Sequence, residues 1–108
     1  MTLAPLIAQH RAIEAALDLL PADRFDAEAF RRVHQLCREH YRYEEAFLGD
    51  VLSPKLRAQH EEALEIAENL EGALAADVPY LVRRFLAIVQ HNIIEEERDF
   101  FPTYRATL

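Results

Sequence analysis

A chain of 108 residues has room for one domain, and 51 % apolar with 29 % charged residues suits a packed core rather than a disordered tail. Two glycines and five prolines beside abundant Ala, Leu, Glu and Arg argue against a small sheet protein, which needs more turn residues. One cysteine excludes an internal disulfide framework or a cysteine-rich zinc site, and a net charge of −7 makes nucleic acid an unsuitable partner.

The sequence divides into four expected helices. Thr2 caps the first, with Pro5 in its opening turn, apolar positions Leu3, Leu6, Ile13, Leu17 and Leu20, and Pro21 as its stop. Asp26 caps the second, which runs to about Leu48 with Phe30, Val33, Cys37, His40, Glu44 and Phe47 inward. Gly49 and Asp50 loosen the next junction.

Ser53-Pro54 starts the third helix, with Leu56, His60, Ala63, Leu64, Ala67, Leu70 and Leu74 on the inner stripe. Asp77 and Pro79 open the fourth, whose stripe reads Leu81, Phe85, Ile88, His91, Glu95 and Phe101, with Pro102 at an end or kink. Short connections make successive helices antiparallel neighbours. The expected architecture is an all-α, up-down-up-down antiparallel four-helix bundle, a single domain over residues 1–108. The N-terminus has no signal-peptide pattern and no apolar run spans a bilayer, so the expected setting is cytoplasmic, without a membrane partner.

The inner stripes carry residues that a plain bundle avoids: His10, His40, Glu44, His60, His91 and Glu95. His40 with Glu44, and His91 with Glu95, are four apart and so share a helix face. Counting ~1.5 Å per residue from the nearest turns puts all six in one slab, nearer the end formed by the second turn and the chain termini. Burial without partners costs several kcal/mol, roughly, for such groups. A hydrogen-bond network, a watery pocket or metal ions would compensate. Imidazole and carboxylate suit two ions of iron, manganese or zinc, and the carboxylates can bridge. Glu45 and Glu96 are expected to rotate away from this layer, His34 to lie at the surface or its boundary, and Cys37 to pack as a small core residue.

The motifs Gln9-His10-Arg11, His40-Tyr41-Arg42-Tyr43-Glu44-Glu45, Gln59-His60-Glu61-Glu62 and His91-Asn92-Ile93-Ile94-Glu95-Glu96, followed by Phe100-Phe101-Pro102, stand in this order along nearly the whole chain. In this order they resemble the hemerythrin-like, or HHE cation-binding, family. The resemblance implies a non-haem centre of two iron ions (Fe2+/Fe3+), oxo- or hydroxo-bridged, in a four-helix bundle. It implies His10, His40, Glu44, His60, His91 and Glu95 as ligands, with Glu44 and Glu95 as bridges.

Two departures separate the chain from the oxygen carriers of that family. Leu64 stands where a second histidine of the third helix is expected, and Glu96 where those proteins place an aspartate. The set is then one imidazole short, and Glu14, Tyr41, Tyr43 or water are candidates to fill the position. The implied function is binding of, or reaction with, O2, NO or peroxide. Alternatives are an iron-responsive sensor or interaction module, an iron storage or repair protein, and a metal-free bundle with a polar network.

Overall fold

The computed structural model describes residues 2–106; the remaining positions of the expected 1–108 domain lie outside the described residues. Four helices form the bundle: α1 Ala4–Asp18, α2 Ala27–Leu48, α3 Pro54–Glu71 and α4 Val78–Glu95. A π-helical turn, Glu96–Phe100, leads from α4 into a short α5, Phe101–Ala106. No strand occurs among the described residues. Helix α1 packs on α2, α3 on α4, and contacts of α2 with α3 and α1 with α4 close the ring. The result is an elongated all-α bundle of 47 × 24 × 20 Å.

Local chemistry sets the helix starts. The Asp26 carboxylate accepts from Ala29 N–H at 3.0 Å, and the Ser53 hydroxyl from Leu56 N–H at 3.2 Å, each satisfying an amide with no partner inside its helix. Prolines occupy the first turns of α1, α3 and α4, where no backbone donor is needed. The Thr2 hydroxyl accepts from Ala4 N–H at 3.1 Å, whereas Asp77 precedes α4 without a side-chain capping bond. Gly49, at φ +55°, ends α2 in a conformation that suits a residue without Cβ.

Two apolar clusters fill the interior. The larger includes Ile13, Val33, Cys37, Tyr41, Ala63, Ala67, Phe85 and Val89. The smaller gathers Leu3, Leu6, Leu48, Leu52, Leu56 and Phe101 at the end bearing the α2–α3 turn and the termini. Between them lies a layer of buried polar side chains. Leu74, expected inward, is 75 % exposed because it lies beyond the last turn of α3. His34, expected at the surface, is buried. It follows Phe30 by four residues and precedes Cys37 by three, which puts it on the inner face of α2. Burial, then the charge of Arg38, holds its imidazole below the usual histidine range.

Phe85 is fully buried in the larger cluster and stacks edge-on against Phe30 at 5.0 Å. Phe85→Ala is expected to cost about 3–5 kcal/mol of unfolding free energy, measurable by urea denaturation. A cost under ~1 kcal/mol would show that this part of the core is not close-packed.

Candidate metal centre

Four elements deliver the polar layer. His10 comes from α1, His40 and Glu44 from α2, His60 from α3 and Glu96 from the first residue of the π-helical turn; all five are buried. Each histidine occupies a position where apolar neighbours one turn away face the core, so the helix phase that buries Leu6, Ile13, Leu56 and Ala63 also buries His10 and His60.

The two carboxylates each present two ends. At one end, His10 Nε2 lies 3.0 Å from Glu96 Oε1 and 3.9 Å from Glu44 Oε2, while His40 Nε2 lies 3.0 Å from the same Glu44 oxygen. At the other end, His60 Nε2 lies 2.9 Å from Glu96 Oε2 and 3.4 Å from Glu44 Oε1. The first end therefore has two imidazoles and the second has one.

The outer ring nitrogens are held by residues nearer the surface. His10 Nδ1 meets Glu97 Oε2 at 2.6 Å, His40 Nδ1 meets Gln9 Oε1 at 2.6 Å, and His60 Nδ1 meets Glu45 Oε2 at 3.4 Å. The oxygen acceptor outside gives each ring a place for its proton on Nδ1 once a cation takes Nε2, while in the structure as it stands Nε2 of His10 and of His60 faces Glu96. Arg11 bridges Glu97 and Glu14, and Arg57 bonds Glu45 and the Gly49 carbonyl. Tyr41 lies flat on His60 at 4.0 Å and Phe101 flat on His10 at 5.7 Å, fixing two of the ring planes.

Burial depresses His40 to about 3, with His10 adding to the effect, so its imidazole is neutral at pH 7. Burial also pushes Glu44 far up, reinforced by Glu96 and then Glu45. For Glu96 burial acts in the same direction, but hydrogen bonds from His10 and His60 outweigh it and hold the carboxylate ionised. One of the two central carboxyls thus keeps a proton.

Two expected residues lie elsewhere. His91 is 64 % exposed, and Glu95 turns outward to accept from Lys55 Nζ at 2.5 Å and Gln59 Nε2 at 2.6 Å. Helix phase is the reason. A step of three residues falls about 60° short of a full turn, so the series Phe85, Ile88, His91 walks off the core face. The face that is buried reads Phe85, Val89, Asn92, Ile93 and Glu96. Glu96, expected to rotate away, is therefore the carboxylate that α4 and its π-helical extension bring into the layer. The i→i+5 bonding of that turn also lets Phe101, five residues later, share the inner face. Of the candidates for a missing ligand, Glu14 pairs with Arg11 outside and Tyr43 is part-exposed against Phe47. Tyr41 meets His60 with its ring face.

The donor atoms fit a cation. His10, His40, Glu44 and Glu96 each offer an atom, all within 4.8 Å of one another. Ligands on opposite sides of one transition-metal ion stand about 4.2 Å apart. His40 Nε2 and both Glu44 oxygens are buried without a hydrogen-bond partner. Such groups are costly in a folded protein unless something else satisfies them.

Comparison with known families agrees with this chemistry. The chain matches the hemerythrin HHE cation binding domain over residues 1–104, and it belongs to that family. No curated protein and no solved structure matches it. Among the described residues no helix is long and apolar enough to cross a membrane.

The raised Glu44 and depressed His40 set the pH response of the chelator-treated protein. Above about pH 6.5 the folded state holds a proton on Glu44 that the unfolded chain has released, so stability falls as pH rises. Between about 4.5 and 6.5 that gain on acidification is offset by His40, which stays neutral only when folded. Below 4.5, Glu96 and His40 both lower stability. The thermal midpoint should peak near pH 5.5 and drop by pH 8, with a slope approaching ~1.4 kcal/mol per pH unit. A midpoint unchanged from pH 5.5 to 8.5 would contradict the protonated Glu44.

Proposed function

We propose that the protein is a non-haem di-iron protein whose centre binds or reacts with O2, NO or peroxide. The observation that carries this reading is the unpartnered pair of Glu44 oxygens, set opposite Glu96 with an imidazole at both ends. His10, His40, His60, Glu44 and Glu96 would hold the ions, with Glu44 and Glu96 each offering one oxygen to either end. Neutral nitrogen and carboxylate oxygen donors, without thiolate, suit ferrous and ferric iron, and zinc or manganese would enter the same set. When bound, a pair of irons supplies reversible electron transfer and coordination positions for a small ligand.

The rest of the chemistry is done by the chain. Glu97, Gln9 and Glu45 orient the imidazoles so that no ring rotation accompanies loading. The aromatic faces of Phe101 and Tyr41 and the apolar clusters on both sides limit water, which slows irreversible oxidation. With fewer imidazoles than an oxygen carrier of this family, one end holds its ion by weaker donors. That favours reaction or sensing over carriage.

A second reading, an iron-responsive module, is favoured by the position of Glu96. It lies in a π-helical turn, an element often placed at functional sites, and its bonds to His10 and His60 tie that turn to the bundle. Iron loading would then stiffen the C-terminal turn.

Anaerobic titration with Fe2+ should give two equivalents per chain, with about one proton released per chain at pH 7.5 as Glu44 ionises. Calorimetry in buffers of different ionisation enthalpy reads both. Glu44→Ala and Glu96→Ala should each weaken uptake by about 100-fold or more, and Glu95→Ala by less than about twofold. Equal losses in Glu95→Ala and Glu96→Ala would overturn the assignment of Glu96. Exposure of the loaded ferrous protein to NO should change its visible spectrum; an inert centre would contradict the proposed reactivity.

A further inference from the structure

The end of the centre that faces His60 is one donor poorer than the end that faces His10 and His40, and Asn92 lies on the buried face of α4 one turn before Glu96. Asn92 is 1 % exposed, and its Oδ1 is buried with no hydrogen-bond partner. Its amide nitrogen donates to Gln59 Oε1 at 2.9 Å. Gln59 precedes His60 in α3, so this bond holds the Asn92 side chain toward the helix that carries His60 and occupies its nitrogen, leaving Oδ1 as the uncommitted atom.

The spacing supports the same placement. Asn92 precedes Glu96 by four residues, as His40 precedes Glu44. On each helix the carboxylate therefore has a second donor residue one turn before it, on the same face. On α2 that donor is an imidazole aimed at the first end, and on α4 it is an amide oxygen. A buried carboxamide oxygen left without a donor costs free energy, and a hard carbonyl oxygen is an accepted ligand for divalent ions.

We propose that Asn92 is a metal ligand, its Oδ1 completing the position beside His60 that the sequence leaves one imidazole short. The inference rests on the metal-centre reading above. It divides the donors into His10 and His40 at one end and His60 and Asn92 at the other, with Glu44 and Glu96 common to both. The two ends then differ in kind: two nitrogens against one nitrogen and one weaker neutral oxygen. The His60 end should bind its ion less tightly and give it up first. Gln59 acts as a positioning residue, and His91, although adjacent in sequence, takes no part.

Co2+ is the probe, because its visible spectrum reports coordination and needs no turnover. Wild type, Asn92→Ala, Asn92→Asp and His91→Ala are titrated by calorimetry and absorption, with circular dichroism confirming the helical fold of each. Wild type should take two equivalents of unequal affinity. Asn92→Ala should keep the tighter one unchanged and bind the weaker at least about tenfold more weakly, with loss of its absorption features. Asn92→Asp, which retains the oxygen, should keep both, and His91→Ala should match wild type. The inference is overturned if Asn92→Ala binds both ions as wild type does, or if His91→Ala loses the second ion instead. Should wild type bind only one ion, Asn92 has no second site to complete; should it bind none, the metal-centre reading itself fails.

Discussion

The structure depends on how two carboxyl groups are accommodated in the middle of a narrow helical bundle. Glu44 and Glu96 face one another at a depth where water does not reach. An isolated buried carboxylate is far too costly to keep ionised. The chain meets this in two ways. Glu96 is held charged by hydrogen bonds from His10 and His60, while Glu44 retains a proton. A pair of cations would satisfy both groups at once, and the unpartnered oxygens of Glu44 would become ligands rather than a liability.

Around that pair, every layer has a recognisable task. The histidine rings present one nitrogen inward because Glu97, Gln9 and Glu45 occupy the other. Arg11 and Arg57 anchor two of those partners from the surface side. The apolar clusters above and below carry the stability that the polar layer lacks, so the layer can be poised for binding instead of for packing. Metal binding and folding are coupled in such an arrangement, since the donors are brought together only by the bundle.

Much of this was legible in the residues. Proline and capping positions mark the turns, and on α1, α2 and α3 the apolar stripe passes through His10, His40, Glu44 and His60. On α4 the structure buries a different stripe from the expected one, for a physical reason. Several apolar and polar residues compete for the face there, and choosing His91 and Glu95 for their chemistry required three-residue steps that drift around the helix. Following Phe85, Val89, Ile93 and Glu96 by steps of four and three leads to the buried carboxylate and places Asn92 inside. His34 was missed because its neighbours Phe30 and Cys37, not its own chemistry, decide its burial. The π-helical turn has no simple sequence mark, although Pro102 after the two phenylalanines shows where a new helical turn begins.

The most direct test of the account is an anomalous difference map at the iron edge from crystals of the iron-loaded protein. The account predicts two peaks between Glu44 and Glu96, one within bonding reach of His10 and His40 and the other beside His60. A map with no peak in that layer, or with density between His91 and Glu95 instead, would contradict it.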